Sequence, residues 1–236
     1  MEDTERMAKR VFKCYYLSIK LMLQVLRMNE KFFDLKREKQ DRIMGAAIKF
    51  FALYGYENAS TDDMVREAHI SKGLLFHYFI SKKGLYDFIY DYCVRFISME
   101  FAATISTEEM NFFELREKVF ASWTDAMKQY PYIRLFFLRA EKEEHHEALD
   151  AIREKREDFR SKMDDLLAFH TKWEYTSSKD FETIKLMLDC TEKGLLLDLD
   201  KNNDHWQEIY SDSVIRTIRF LKAVSGISEA LNRDEI

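Results

Sequence analysis

Proline occurs once in 236 residues and glycine six times. Strands need frequent turn chemistry, so a chain this poor in both excludes a sandwich or barrel and calls for long helices on short loops. Cysteine is almost as scarce. Cys14, Cys93 and Cys190 are odd in number and far apart, which fits neither a disulfide framework nor a zinc spacing and leaves thiols of a reducing cytoplasm. No apolar run reaches the uncharged length of a membrane span. The stretch YYLSIKLMLQVL is broken by Lys20 and followed by no small-residue cleavage site, so no signal peptide is expected. Nucleophile elbows, phosphate loops, HExxH and paired-cysteine motifs are missing as well, and no enzyme, metal or cofactor is expected.

What is present is apolar bulk and an uneven charge. Hydrophobic residues make up 47% of the chain, enough for one large core or two small ones. The net charge of -5 disfavours a polyanionic partner until it is divided. Residues 1–85 carry 16 Lys and Arg against 11 Asp and Glu, whereas residues 86–236 carry 21 against 31. One end is basic, the pattern of a chain whose partner at that end is nucleic acid.

From Glu38 onward Ile43, Ala46, Ala47, Phe50, Phe51 and Tyr54 recur at three- and four-residue steps, predicting a helix with one apolar face that ends at Gly55. Ser60 or Thr61 can cap a short second helix with Met64, Val65 and Ala68 inward, and Ser71 a third over 72–79. Ser81 can cap a fourth helix, to about residue 104. Two short helices across a tight turn, behind a longer one, make a helix–turn–helix. Leu75 and Phe79 would pack the third helix inward and leave Ser71, Lys72, Leu74, His77 and Tyr78 outward. Further helices are predicted near 111–129, 131–142, 147–173, 180–200 and 204–224.

The stretch RIMGAAIKFFALYGYENASTDDMVREAHISKGLLFHYFISKKGLY, residues 42–86, resembles the DNA-binding domain of the tetracycline-repressor (TetR) family of bacterial transcriptional regulators. The likeness lies in joint order and spacing: the alanine pair before an aromatic face, Gly55-Tyr56, Thr61 opening the second helix, Ala68 to Ser71 as the turn, Lys72-Gly73, and Tyr78-Phe79 followed by Ser81-Lys82. It implies an all-α cytoplasmic homodimer that places its third helices in successive major grooves of double-stranded operator DNA, roughly 34–36 Å apart. By position it assigns Thr61 and Tyr78 to phosphates, Ser71, Lys72, Gly73, Leu74 and His77 to bases or flanking phosphates, and Lys82 to a phosphate clamp. It implies residues 38–83 as the DNA-binding domain and 84–236 as a helical effector-binding and dimerisation domain. Three positions depart from the pattern. His69 replaces a turn glycine, Phe76 a frequent tyrosine, and Gly84 an acidic residue that would complete a capping box with Ser81. Residues 1–37 are an irregular arm, either a basic extension lying along DNA or an over-extended start with Met28 as the alternative.

The resemblance also implies a small-molecule cavity among the middle helices, with an effector that is apolar or aromatic. Candidate wall residues are Phe101, Trp123, Met127, Tyr130, Phe136, Phe137, Phe169, Trp173 and Met187; aromatic and Met residues at helical spacing more often form plain core. Glu141 and His145 are one helical turn apart, but in so charged a run they read as a solvated helix end. Ile184, Leu188, Leu195, Ile209, Ile215, Ile218 and Leu221 form apolar stripes on the last two helices, suited to a four-helix dimer interface. The expected function is a ligand-released repressor. Its rivals are a DNA-binding protein without an effector and a ligand sensor that has lost DNA binding.

Overall fold

In the computed structural model, residues 30–105, 110–172 and 178–233 are described. The predicted all-α architecture is what they adopt. In chain order the helices are α1 (Glu30–Phe33), α2 (Arg37–Asn58), α3 (Thr61–Glu67), α4 (Lys72–Phe79), α5 (Lys82–Thr104), α6 (Phe112–Gln129), α7 (Ile133–Glu141), α8 (His146–His170), α9 (Ser178–Asp198) and α10 (Trp206–Arg233). Between them, β1 (Met110–Asn111) and β2 (Thr171–Lys172) pair in parallel through Met110–Thr171 and Asn111–Lys172. That pair ends α8 at His170, short of the expected 173.

The chain divides into two compact units, one of residues 1–103 and 126–161, the other of 104–125 and 162–236. All of α5 but Thr104 belongs to the first unit, while α6 and α8 each contribute residues to both. Within the first unit α7 packs along α2, α3 packs on α2, and α4 on α3. Phe51, Tyr56, Tyr86, Tyr90 and Phe136 are nearly solvent-free and meet ring to ring at 4.9–6.5 Å. Polar ties cross this core. The Tyr130 hydroxyl donates to Asp41 at 3.0 Å and lies 2.9 Å from the Tyr92 hydroxyl, joining α2, α5 and the end of α6. Burial holds the Tyr130 phenol far above its ordinary range, so it stays a neutral donor.

Two expectations for α2 change. Tyr54 is 52% exposed and stacks on half-buried Phe50 at the surface, whereas Met44, Ile48 and Ala52 are buried. The inward face is rotated and widened because α2 is covered by α3 on one flank and α7 on another. Ahead of α2, the end of the supposed arm is structured. Phe32 is fully buried, and Gln40 donates to the carbonyls of Phe33 at 3.0 Å and Leu35 at 2.8 Å.

In the second unit α9 packs against α10. Arg116 donates to Asp189 at 2.8 Å and to Glu192 at 3.4 Å, and Tyr210 lies 3.4 Å from the other Glu192 oxygen. Glu192 is only 7% exposed, so this charge is stable inside only while its partners remain.

Candidate nucleic-acid interface

Each short helix starts where a serine can satisfy a free backbone N–H. Ser60 Oγ accepts from Asp63 N at 3.2 Å, Ser71 Oγ from Leu74 N at 3.2 Å, and Ser81 Oγ from Gly84 N at 3.0 Å. The turn from α3 to α4 is a Schellman cap. Ile70 N donates to Val65 O at 3.0 Å and His69 N to Arg66 O at 3.2 Å, with His69 in the left-handed region at φ 52°. The glycine missing from that position is thus replaced by a residue that adopts glycine's conformation at a cost. Arg42 on α2 donates to Ala68 O at 3.2 Å and ties the turn to the long helix.

The turn into α5 is tighter. Ser81 N donates to Phe79 O at 2.6 Å across Ile80, whose φ is 65°, a strained γ-turn geometry. It bends the Phe79 carbonyl towards α5, where a Cβ at position 84 would collide with it. Gly84 is therefore the residue this turn requires, and the absent acidic cap partner is its consequence.

The faces of α4 divide as expected. Leu75 and Phe79 are buried, whereas Ser71, Lys72, Gly73 and His77 are exposed and Leu74 and Tyr78 half-buried. Around Gly73 nothing lies within 4 Å of where a Cβ would stand, so it is open towards solvent rather than packed. Thr61 is half-exposed at the start of α3. Lys72 is held at 3.0 Å by Asp62, an exposed pair worth about 0–1 kcal/mol and so readily exchanged for a phosphate. Lys82 is differently engaged. Its ammonium donates to Glu57 O at 3.0 Å and lies 4.9 Å from the Tyr56 ring centroid, capping the end of α2. Burial lowers its pKa, opposed by Glu147 and Glu57. A phosphate clamp by Lys82 would require leaving that cap.

Residues 43–88 match the family model of bacterial regulatory proteins of the tetR family. These residues form a TetR-family DNA-binding domain. Similarity in fold extends beyond it. A TetR-like transcriptional regulator from Rhodococcus sp. RHA1 superposes with a TM-score of 0.51 at 17% identity, over 79% of this chain and 95% of that one. A tetR family transcription regulator from Shewanella sp. PV-4 follows at 0.47 and 17%, over 79% and 96%. No protein of curated function matches the chain in sequence. Within the matched stretch lie α3 and α4, the two short helices of the helix–turn–helix.

The effector candidates scatter. Tyr130, Phe136 and Phe137 belong to the first unit's own core; Phe137 meets Tyr90 at 5.8 Å and Phe159 at 5.0 Å. Phe101, Trp123 and Met127 are buried. Met187 is 49% exposed and lines no interior wall, a correction that follows from its place on the outer side of α9. The Phe169 and Trp173 side chains lie outside the described residues. Glu141 accepts from Arg160 at 2.9 Å and His145 packs on Tyr56 at 5.0 Å, so the two face different partners.

The stripes on α9 and α10 also divide. Leu188, Ile218 and Leu221 are buried within the single chain, and Ile184, Leu195 and Ile215 are half-buried. Of the expected interface only Ile209 is exposed, at 41%. The reason is local: α9 and α10 must first cover one another. Leu186, Met187 and Leu197 on α9 and Phe220 and Val224 on α10 are exposed as well, and apart from Met187 none of them was among the expected residues.

Among the described residues no helix is long and apolar enough to cross a membrane.

Proposed function

We propose that the chain is a homodimeric, non-enzymatic repressor that binds a palindromic operator through α4 and is released by a small apolar or aromatic ligand. The observation that carries the DNA-binding part is the two-sidedness of α4, with Leu75 and Phe79 buried in the core and Ser71, Lys72 and Gly73 at its N-terminal end, with His77 further along, exposed on the other side. Free N–H groups and partial positive charge at a helix start suit phosphate oxygens, and exposed short side chains suit base edges. Thr61, Leu74 and Tyr78 flank that surface.

Pairing of two copies is supported by Leu186, Leu197, Phe220 and Val224, large apolar side chains 42–66% exposed on α9 and α10. A two-fold pairing of those helices would cover them, as in a four-helix bundle. Ligand release follows population shift: a ligand that favours a conformation in which the α4 helices no longer match successive grooves lowers operator affinity by the ratio of its affinities for the two conformations. Regulation without a small molecule is the second reading, favoured by the use of Tyr130, Phe136 and Phe137 as core.

The test is retention of genomic fragments by purified protein at low and moderate salt, followed by sequencing. A recurring palindrome lost in Lys72→Ala is the expected result. No retained DNA at low salt refutes the reading. Thermal shift against aromatic and amphiphilic compounds then separates the two modes of regulation.

A further inference from the structure

A helix of eight residues cannot hold its own direction; the elements around it must. At its C-terminal end α4 is bound to α5 by the tight turn at Ile80 and by Phe79 against Phe88, ring centroids 5.0 Å apart. What holds the start of α5 therefore holds α4. Contacts from the first half of α8 do so. Lys83 meets Asp150 and Asp87 meets Lys155, each at 2.5 Å. Next to them the Tyr56 hydroxyl, near the end of α2, donates to Glu147 at 2.7 Å. Tyr56 is buried and the Lys82 ammonium lies 4.9 Å from its ring, so Glu147 also steadies the first residue of α5. All of these residues belong to the first unit.

The two ion pairs have opposite polarity. On α5 Lys83 precedes Asp87, whereas on α8 Asp150 precedes Lys155. Both pairs ascend together, so the two helices run the same way in this stretch. A slip of α8 by roughly one turn brings Lys155 towards Lys83, or Asp150 towards Asp87. Either slip sets like charges together where unlike charges had met. The pairs therefore select one register as well as closeness. Asp87 and Lys155 have side chains only 27% and 33% exposed, and they are screened less than Lys83 and Asp150, at 38% and 57%. Most of the register preference lies in the inner pair.

We infer that Glu147, Asp150 and Lys155 are positioning residues for DNA binding: through Tyr56, Lys83 and Asp87 they fix the register of α8 against α5, and with it the direction of α4. They lie beyond residue 88, where the family match ends. The inference rests on the DNA-binding reading above and adds how α4 is aimed. It also makes α8 a route of control. α8 continues past the first unit to His170, so an event that draws it along its axis strains the inner pair and turns α4.

The test measures the affinity of the full chain for a genomic fragment that the parent retains, below the melting temperature of every protein compared. Asp87→Lys sets a lysine against Lys155 and makes the chain more positive. Added positive charge by itself tightens DNA binding. The expected result is the reverse, a loss of about five-fold or more. Adding Lys155→Asp rebuilds the pair with its polarity exchanged, and affinity returns to within about two-fold of the parent. Tyr56→Phe removes one hydroxyl, keeps the ring, and should weaken binding by about two- to ten-fold. Binding by Asp87→Lys as tight as the parent's, or tighter, overturns the inference. So does a folded double variant that stays as weak as the single one. Losses that vanish once affinity is expressed per folded molecule, from melts of the same samples, make the contacts merely stabilising and overturn it too. A parent that retains no DNA refutes the DNA-binding reading, and this inference with it.

Discussion

Gly84→Ala and Gly45→Ala should change stability in opposite directions, although both replace a glycine inside a helix. Ordinarily such a change stabilises by about 1 kcal/mol, through lower backbone entropy in the unfolded chain and better helix propensity. Gly45 meets that condition, because nothing lies within 4 Å of an added Cβ. At Gly84 the Cβ would be driven into the Phe79 carbonyl oxygen, a backbone atom that already accepts from Ser81 N at 2.6 Å. Relief requires opening the turn at Ile80 or lifting the end of α4, and forced contacts of this kind cost about 1–3 kcal/mol. The steric cost exceeds the propensity gain, leaving Gly84→Ala destabilised by about 1–2 kcal/mol.

For a chain of this size 1 kcal/mol moves the melting temperature by about 2–4 °C. Gly45→Ala should therefore melt a few degrees above the parent and Gly84→Ala a few degrees below it. Thermal melts followed by circular dichroism read both. DNA affinity supplies a second axis, since the relaxed turn displaces Tyr78 and Phe79 and with them the orientation of α4. A Gly84→Ala protein as stable as Gly45→Ala, and unchanged in DNA binding, would refute the argument that the turn excludes a side chain.

Gly73→Ala separates folding from recognition: space around it is open, so stability should rise by up to about 1 kcal/mol while DNA binding weakens, checked by melts and gel-shift titration. His69→Gly should stabilise by roughly 0.5–1 kcal/mol in denaturant titration, because it removes a left-handed histidine at φ 52° from the cap. Arg116→Ala leaves Glu192 buried without its cation and should cost about 3–5 kcal/mol by the same assay, with Arg116→Lys recovering only part. Asp62→Asn removes a carboxylate beside the phosphates and frees Lys72, so DNA affinity should rise and the salt slope steepen by about one contact.

The sequence shows local commitments clearly and non-local ones poorly. Ser60, Ser71 and Ser81 cap the helices they precede, and Leu75 and Phe79 face inward, because capping and periodicity are settled within one or two turns of chain. His69 was recognisable as a strained turn residue for the same reason. The errors share a different origin. Tyr54 emerges at the surface and Leu188, Ile218 and Leu221 turn inward because the buried arc of a helix depends on which neighbours flank it, and periodicity does not name them. Lys82 reads in sequence as a free clamp, but its ammonium is engaged at the Glu57 carbonyl in the last turn of α2. Gly84 looked like a lost cap; the deciding atom is a carbonyl bent by a γ-turn that no residue type announces. Phe32 is not distinguished by the sequence, since the aromatics of residues 1–37 follow no period. Its partners Tyr78, Phe79 and Phe88 are far along the chain, and only folding brings them around it. That contact ties the chain just ahead of α2 to the C-terminal end of α4 and to α5, a link that no local pattern in the sequence announces.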